Sequence, residues 1–301
     1  MSYVPQPFVQ PLSERIATPH AHTCEAAQPI DLFPVVNHGV SVELLQLLKT
    51  SAHTFFAQPP EKKAVYLKEV SPSRLVKYGT SFVPEKEKAI EWKDYVSMLY
   101  TNNQEVLQYW PPQCRYMEYT YKVALDFLKS SMEMVKRVVE KKTEDRMNRL
   151  MGTQMVNMNY HPTCPSHELT IGVGRHSDMG MLTVLLQDGI GGLYVKLDNG
   201  DWAEIPPLNR ALVINTLQVS HPMGSTKVRS IGFEPQTYIG SRVSVPILTA
   251  PNPSEKIGPL PEVVKRDGVV RYKELLFQDY MNNFFGQPHD GKKSLDFARA
   301  D

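Results

Sequence analysis

From Gln154 onward the chain is a succession of short apolar runs, MVNMNY, LTIGVG, MLTVLLQ, GLYVKL, WAEI, ALVINTL and RVSVPIL, punctuated by glycine, proline and asparagine. Runs this short, at regular intervals and with no helical repeats between them, predict antiparallel strands in a sandwich or barrel. The preceding sequence has a different texture. Residues 1 to about 30 read as an irregular arm, and Asp31 to Val40 as a β-branched run closed by a turn at Gly39. Helical spacing of apolar residues follows at Ser41 to Phe56 and at Tyr119 to Lys142, and returns at Val270 to Phe285. The expectation is an α+β fold with an N-terminal helical region over residues 1–145, a β core over 152–250 that carries the chemistry, and a C-terminal helix and tail over 251–301.

Two short patterns inside the β core carry chemical information. His176 and Asp178, one residue apart, project from one face of an extended segment, so an imidazole nitrogen and a hard carboxylate oxygen can meet one metal ion. The pair is read as opening the strand MLTVLLQ after a glycine turn. Arg242 and Ser244 share a strand face in the same way, and a planar guanidinium beside a hydroxyl suits a two-point grip on a carboxylate. Taken singly, His-x-Asp is a common surface turn and Arg242 an ordinary surface ion-pair partner. Together, two thirds of a facial iron triad and a carboxylate clamp point to Fe(II) and 2-oxoglutarate chemistry. Asn159 and its surroundings are placed to hold the near end of the oxo acid.

Composition narrows the partners. With 33 basic and 32 acidic residues in 301, the chain has no charge excess to attract nucleic acid or an anionic membrane. The first twenty residues lack the apolar core of a signal peptide, and no run approaches the roughly 18 apolar residues of a spanning helix. Cys24, Cys114 and Cys164 are odd in number and widely spaced, as in reduced thiols. A cytoplasmic monomer acting on a small molecule, which the resemblance described below makes an aromatic one, is expected. The C-terminal aromatic face with Phe277, Tyr280 and Phe284 is a candidate lining for it, although aromatics on a helix are more often core.

The runs SPSRLVKYGTSFVPEKEKAIEWKDYVSMLY, NMNYHPTCPSHELTIGVGRHSDMGMLTVLLQDGIGGLYVKL and GPLPEVVKRDGVVRYKELLFQDYMNNFFGQPHDGKKSLDFARAD resemble the plant Fe(II)/2-oxoglutarate-dependent dioxygenases over most of the chain. The resemblance implies a distorted double-stranded β-helix, a jelly-roll core, with Fe(II), 2-oxoglutarate and O2 as cofactors and ascorbate as reductant. It makes His176 and Asp178 the first two iron ligands and Arg242 and Ser244 the 2-oxoglutarate clamp. His161 stands where relatives carry a tyrosine that bonds 2-oxoglutarate, and imidazole can donate a similar bond. The implied reaction is hydroxylation of a coumarin ring; the runner-up is ring hydroxylation of a hydroxycinnamoyl-CoA. A non-catalytic remnant of the fold is the rival from another class.

That rival exists because the chain departs from the family pattern at one decisive place. The family's third iron ligand is a histidine in a Glu-His-Arg-Val run ten residues before the clamp arginine, and here that count falls on Gly232. The run from His221 to Ile239, HPMGSTKVRSIGFEPQTYI, resembles nothing in the family while both flanks do. Back-translated with ordinary codons and read one base pair out of register, it gives SNGKYKSAEHRVRTTN, which is similar to the family and restores the histidine across the codons of Ser230 and Ile231. Shorter losses are expected at Asp31 to Pro34, between Val139 and Met147, and before Thr216. These are marks of a pseudogene-like allele or a misjoined gene. His221 and Glu234 are the only nearby substitute donors, and a solvated loop histidine is the ordinary reading of His221.

Overall fold

The structure is a computed structural model that describes residues 3–12, 15, 22–23, 32–81, 88–100, 103–115, 152–176, 178, 180, 182–197, 202–216, 231–233, 240–259, 264–265, 268–270, 272–286 and 296–300. In chain order its strands are β1 (His22–Thr23), β2 (Leu32–Val35), β3 (Val76–Gly79), β4 (Asp94–Tyr100), β5 (Thr153–His161), β6 (Val173–His176), β7 (Leu182–Gln187), β8 (Leu193–Lys196), β9 (Trp202–Glu204), β10 (Leu212–Thr216), β11 (Ile231–Phe233), β12 (Arg242–Ala250), β13 (Lys256–Ile257) and β14 (Leu275–Leu276). Helices α1 (Val42–Phe56), α2 (Pro60–Ala64), α3 (Asn103–Tyr109) and α4 (Phe277–Gly286) accompany them, with 3-10 turns at Gln6–Phe8, Pro112–Cys114 and His167–Leu169.

Seven strands form a major antiparallel sheet in the order β2-β10-β7-β12-β5-β4-β3, and five form a minor sheet in the order β1-β9-β8-β11-β6. Side chains alternate across the major sheet, so its two faces differ in chemistry. One face, with Val96, Met98, Val156, Met158, Val243, Val245 and Ile247, packs under Leu45, Leu48, Ala52, Phe55 and Phe56 of α1. The hydroxyl of Ser41 caps that helix by accepting from the Leu44 amide at 3.3 Å, and its buried residues recur at the three-and-four spacing of one helical face. The other face is polar toward one end and apolar toward the middle, where Leu32, Leu185 and Val213 meet Val173, Leu193, Val195, Ala203 and Ile205 of and around the minor sheet. Two sheets facing each other across a shared core form the sandwich expected from the strand spacing, in the jelly-roll form that the family resemblance implies.

Several expectations are refined. Helix Ser41 to Phe56 is found one residue later, with Ser41 as its cap. The run LTIGVG is not one strand: His167–Leu169 is a 3-10 turn and β6 begins at Val173. The C-terminal helix starts at Phe277 instead of Val270, because Leu275 and Leu276 pair with Ile257 and Lys256 and the Phe277 amide donates to the Glu255 carbonyl at 2.9 Å. The N-terminal region contributes more than helices, since β2, β3 and β4 extend the sheet of the β core. The helix expected at Tyr119 to Lys142 lies outside the described residues. No helix among the described residues is long and apolar enough to cross a membrane. Cys114 and Cys164 are free and buried; burial pushes the Cys114 thiol up to about 12, which keeps it protonated and unreactive.

Candidate active site

Strand register brings the sequence-predicted residues together. Arg242 lies opposite His161, and Ser244 lies opposite Asn159 on one side and Gln187 on the other. Directly paired residues share a face, so β5, β12 and β7 present Asn159, His161, Arg242, Ser244 and Gln187 as one polar patch on the face turned away from α1. All five are buried. Arg242 is 2% exposed; its Nε donates to the Ile190 carbonyl at 3.2 Å and its Nη2 to Gln187 Oε1 at 3.0 Å. Burial lowers its pKa to about 10, partly offset by the nearby Asp188 carboxylate, so the guanidinium stays charged at neutral pH. Asp188 also accepts from the Val243 amide, fixing the start of β12. The Ser244 hydroxyl is buried with no hydrogen-bond partner. Burial, followed by the charges of Arg242 and Lys93, holds His161 well below the ordinary histidine range, so its ring is neutral and has one N–H to give.

The second cluster lies at the end of β6. His176 closes that strand and Asp178 follows it, a correction to the expectation that the pair opens β7; the turn through Gly180 intervenes. His176 Nδ1 donates to the Gly174 carbonyl at 2.7 Å, and its Nε2 lies 3.5 Å from Asp178 Oδ1, an ion pair when the ring is protonated. Asn215 Nδ2 donates to Asp178 Oδ2 at 2.6 Å. Burial alone would raise the pKa of Asp178, but the influence of His176, followed by Thr183 and Asn215, outweighs it and the carboxyl is held low. For His176, burial is the largest single influence and works downward, yet the Asp178 hydrogen bond and charge together carry its pKa above the ordinary value. Sequence reasoning missed Asn215, Thr183 and Gln187. Their one visible signal was a polar residue inside or at the end of an otherwise apolar strand.

Nitrogen and oxygen donors converge here, and the buried Ser244 hydroxyl without a partner beside a charged guanidinium fits an anionic ligand. The fit to iron is incomplete. Among the described residues no group of three His, Cys, Asp or Glu side chains could hold a metal ion. In the strand pairing, Ile231 is opposite both His176 and Val195, while Gly232 is opposite Tyr194. The register therefore puts Ile231, one residue earlier than the count back from Arg242, on the row of His176, and isoleucine has no donor atom. His221 and Glu234 lie outside the described residues.

Phe277 and Tyr280 are each 2% exposed and pack with Ala250 and Ile257, with half-buried Phe284 against them. This cluster sits at the Ala250 end of β12, eight residues from Arg242.

A search of curated proteins finds scopoletin 8-hydroxylase of Arabidopsis thaliana 68% identical over 334 aligned positions, covering 100% of this chain and 92% of that protein. The chain belongs to the 2OG-Fe(II) oxygenase superfamily. The superfamily's own sequence model matches residues 152–231, ending inside β11, and the model described as non-haem dioxygenase in morphine synthesis N-terminal matches residues 13–114. Feruloyl CoA ortho-hydroxylase F6H1-1 of Ipomoea batatas is 39% identical, covering 98% of this chain and 90% of that protein. Among solved structures, JOX2 in complex with 2OG, Fe, and JA is 23% identical and superposes with a TM-score of 0.84, covering 100% of this chain and 95% of that one. The rice dioxygenase for auxin oxidation follows at 20% identity and a TM-score of 0.65, with 90% of each chain covered. These structures share the fold. The cofactors are Fe(II) and 2-oxoglutarate, with O2 as co-substrate. An alignment of 334 positions over a chain of 301 residues leaves at least about 33 positions where the hydroxylase has residues and this chain has none, in keeping with the internal losses expected from the sequence.

Proposed function

We propose that this chain derives from a coumarin hydroxylase that converts scopoletin to fraxetin by hydroxylation at C8. The observation that carries the reading is the 68% identity to scopoletin 8-hydroxylase from end to end. The feruloyl-CoA hydroxylases, at 39%, support the same chemistry on a related aromatic and are the second reading. In this proposal Arg242 and Ser244 grip the distal carboxylate of 2-oxoglutarate, Asn159 and His161 hold its near end, and His176 and Asp178 supply two metal donors. Iron held by His176 and Asp178 would supply the oxidative decarboxylation of 2-oxoglutarate to succinate and CO2, with one atom of O2 ending in succinate and the other in the ring hydroxyl. The chain's own residues do the rest by position. The polar patch orients the dicarboxylate, the Gly174 carbonyl holds the His176 tautomer, and Asn215 keeps Asp178 ionised and fixed in rotamer. Substrate recognition falls to the aromatic end of the barrel, where Phe277 and Tyr280 act through packing and Phe284 offers the exposed flank. A cytoplasmic monomer is part of the same proposal.

The chain as written is catalytically impaired in this reading, because a two-donor site binds a divalent metal loosely and leaves its facial geometry undefined. The test compares this polypeptide with one whose residues 221–239 are replaced by the segment encoded in the shifted frame. Iron content, succinate release and fraxetin formation are measured with ascorbate present. The restored protein is expected to hold iron stoichiometrically and turn over scopoletin while the present chain does neither. Equal iron and equal turnover would show that another group has replaced the missing ligand. Turnover of feruloyl-CoA alone would overturn the substrate assignment.

A further inference from the structure

Among the described residues strand β6, which delivers His176, is the edge strand of the minor sheet, and its one strand partner there, β11, is three residues long with a shift in register between Ile231 and Phe233. So thin a ladder is poor support for a side chain that must be held to within a fraction of an ångström. The weakness is greatest at Gly174, which has no Cβ to restrict its backbone and whose carbonyl sets the His176 ring.

The open edge is closed by a segment from the N-terminal half. The Trp92 amide donates to the Ile171 carbonyl at 2.8 Å, and Glu91 Oε1 accepts from the Gly174 amide at 2.6 Å. Gly174 is thereby gripped at both ends, by Glu91 at its N–H and by His176 at its C=O. Glu91 is itself fixed. Its carboxylate lies 3.0 Å from Lys93 Nζ, its own amide donates to the Ser81 hydroxyl at 3.0 Å, and the two side chains of the ion pair are 3% and 1% exposed. The indole of Trp92 donates to the Pro162 carbonyl, just beyond His161, at 3.0 Å. One short segment, Glu91 to Lys93, thus ties β6 to the end of β5.

We propose that Glu91 is a positioning residue for His176: by accepting the Gly174 amide it fixes the direction of the Gly174 carbonyl, and through it the tautomer and aim of the imidazole. Lys93 keeps the buried carboxylate charged and in place. This rests on the assignment of His176 as a metal ligand, but the orientation of the ring is measurable without metal.

Removing Glu91 alone would leave the Lys93 ammonium buried without its counter-ion and could unfold the protein, so the charge is removed from both partners. The double variant Glu91→Gln/Lys93→Met keeps an amide oxygen for the Gly174 N–H, whereas Glu91→Met/Lys93→Met has none. Two readouts are taken on the full chain. The first is the ring-nitrogen chemical shifts of His176 in the metal-free protein, assigned by the signal lost in His176→Asn. The second is Co(II) affinity and the Co(II) visible spectrum. The glutamine variant is expected to match the parent in both. The methionine variant is expected to remain folded, to show His176 ring-nitrogen signals shifted or multiplied as the ring loses its single orientation, and to bind Co(II) about 10- to 100-fold more weakly. Identical His176 shifts in the two double variants would overturn the proposal, since the acceptor would then be immaterial. If the shifts differ as expected but Co(II) fails to bind even the protein whose residues 221–239 are restored from the shifted frame, the positioning role stands and it is the metal assignment that fails.

Discussion

Replacing Ser244 by alanine separates the stability of the protein from its affinity for 2-oxoglutarate. Ser244 is 1% exposed, and its hydroxyl has no hydrogen-bond partner among the described residues. Burying a hydroxyl without a partner costs about 1–3 kcal/mol by protein mutational measures. Alanine removes that cost and loses only one oxygen atom of packing, so the ligand-free variant should be as stable as the parent or more stable by roughly 1 kcal/mol. With the dicarboxylate bound the balance reverses. A hydrogen bond to a charged group contributes about 1.5–3 kcal/mol, equivalent to a dissociation constant weaker by roughly 10- to 140-fold. The assay is urea denaturation without ligand, paired with calorimetric titration of 2-oxoglutarate in the presence of Mn(II). A variant destabilised by more than about 1 kcal/mol with unchanged affinity would show that the hydroxyl serves the fold, and the reasoning from its unpartnered state would fail.

In the protein restored at residues 221–239, Arg242→Lys should weaken 2-oxoglutarate binding by at least about tenfold, because one ammonium cannot reach Gln187, Ile190 and both carboxylate oxygens; an unchanged Michaelis constant there would remove Arg242 from the site. Ile231→His should raise Co(II) affinity by about tenfold or more, and Gly232→His should not, since only position 231 stands opposite His176; the reverse order would correct the register. His161 has a pKa well below its free value of 6.5, so between those two values the unfolded chain binds a proton that the folded one refuses. Its contribution to stability is complete above about pH 6.5 and is lost as pH falls from there toward the folded value, so thermal melts should show a drop toward pH 5 that flattens in His161→Gln. A Cβ on Gly180 would sit 2.3 Å from the Thr249 carbonyl oxygen, so Gly180→Ala should cost about 1–3 kcal/mol by forcing the turn off β12, read as a lowered melting temperature; an unshifted melt would mean that the turn moves freely.

Local periodicity and residue chemistry were enough for most of the strands from Met155 to Leu248, the helix ending at Phe56, and the shared-face spacing of His176 with Asp178 and of Arg242 with Ser244; that no third ligand stands where one is expected was legible only against the family pattern. Each depends on neighbours within a few positions, where alternation, a capping hydroxyl or a two-residue spacing leaves a trace in the chain itself. What only the tertiary structure decided involves residues far apart in sequence. Asn215 meets Asp178 because β10 pairs with β7, Gln187 meets Arg242 because β7 pairs with β12, and Glu91 reaches Gly174 because the N-terminal half closes the edge of the minor sheet. The choice of Ile231 over Gly232 as the residue opposite His176 is of the same kind. A shift of one residue in pairing turns a side chain to the opposite face, and that register is set by packing between whole sheets, which no local window of sequence contains.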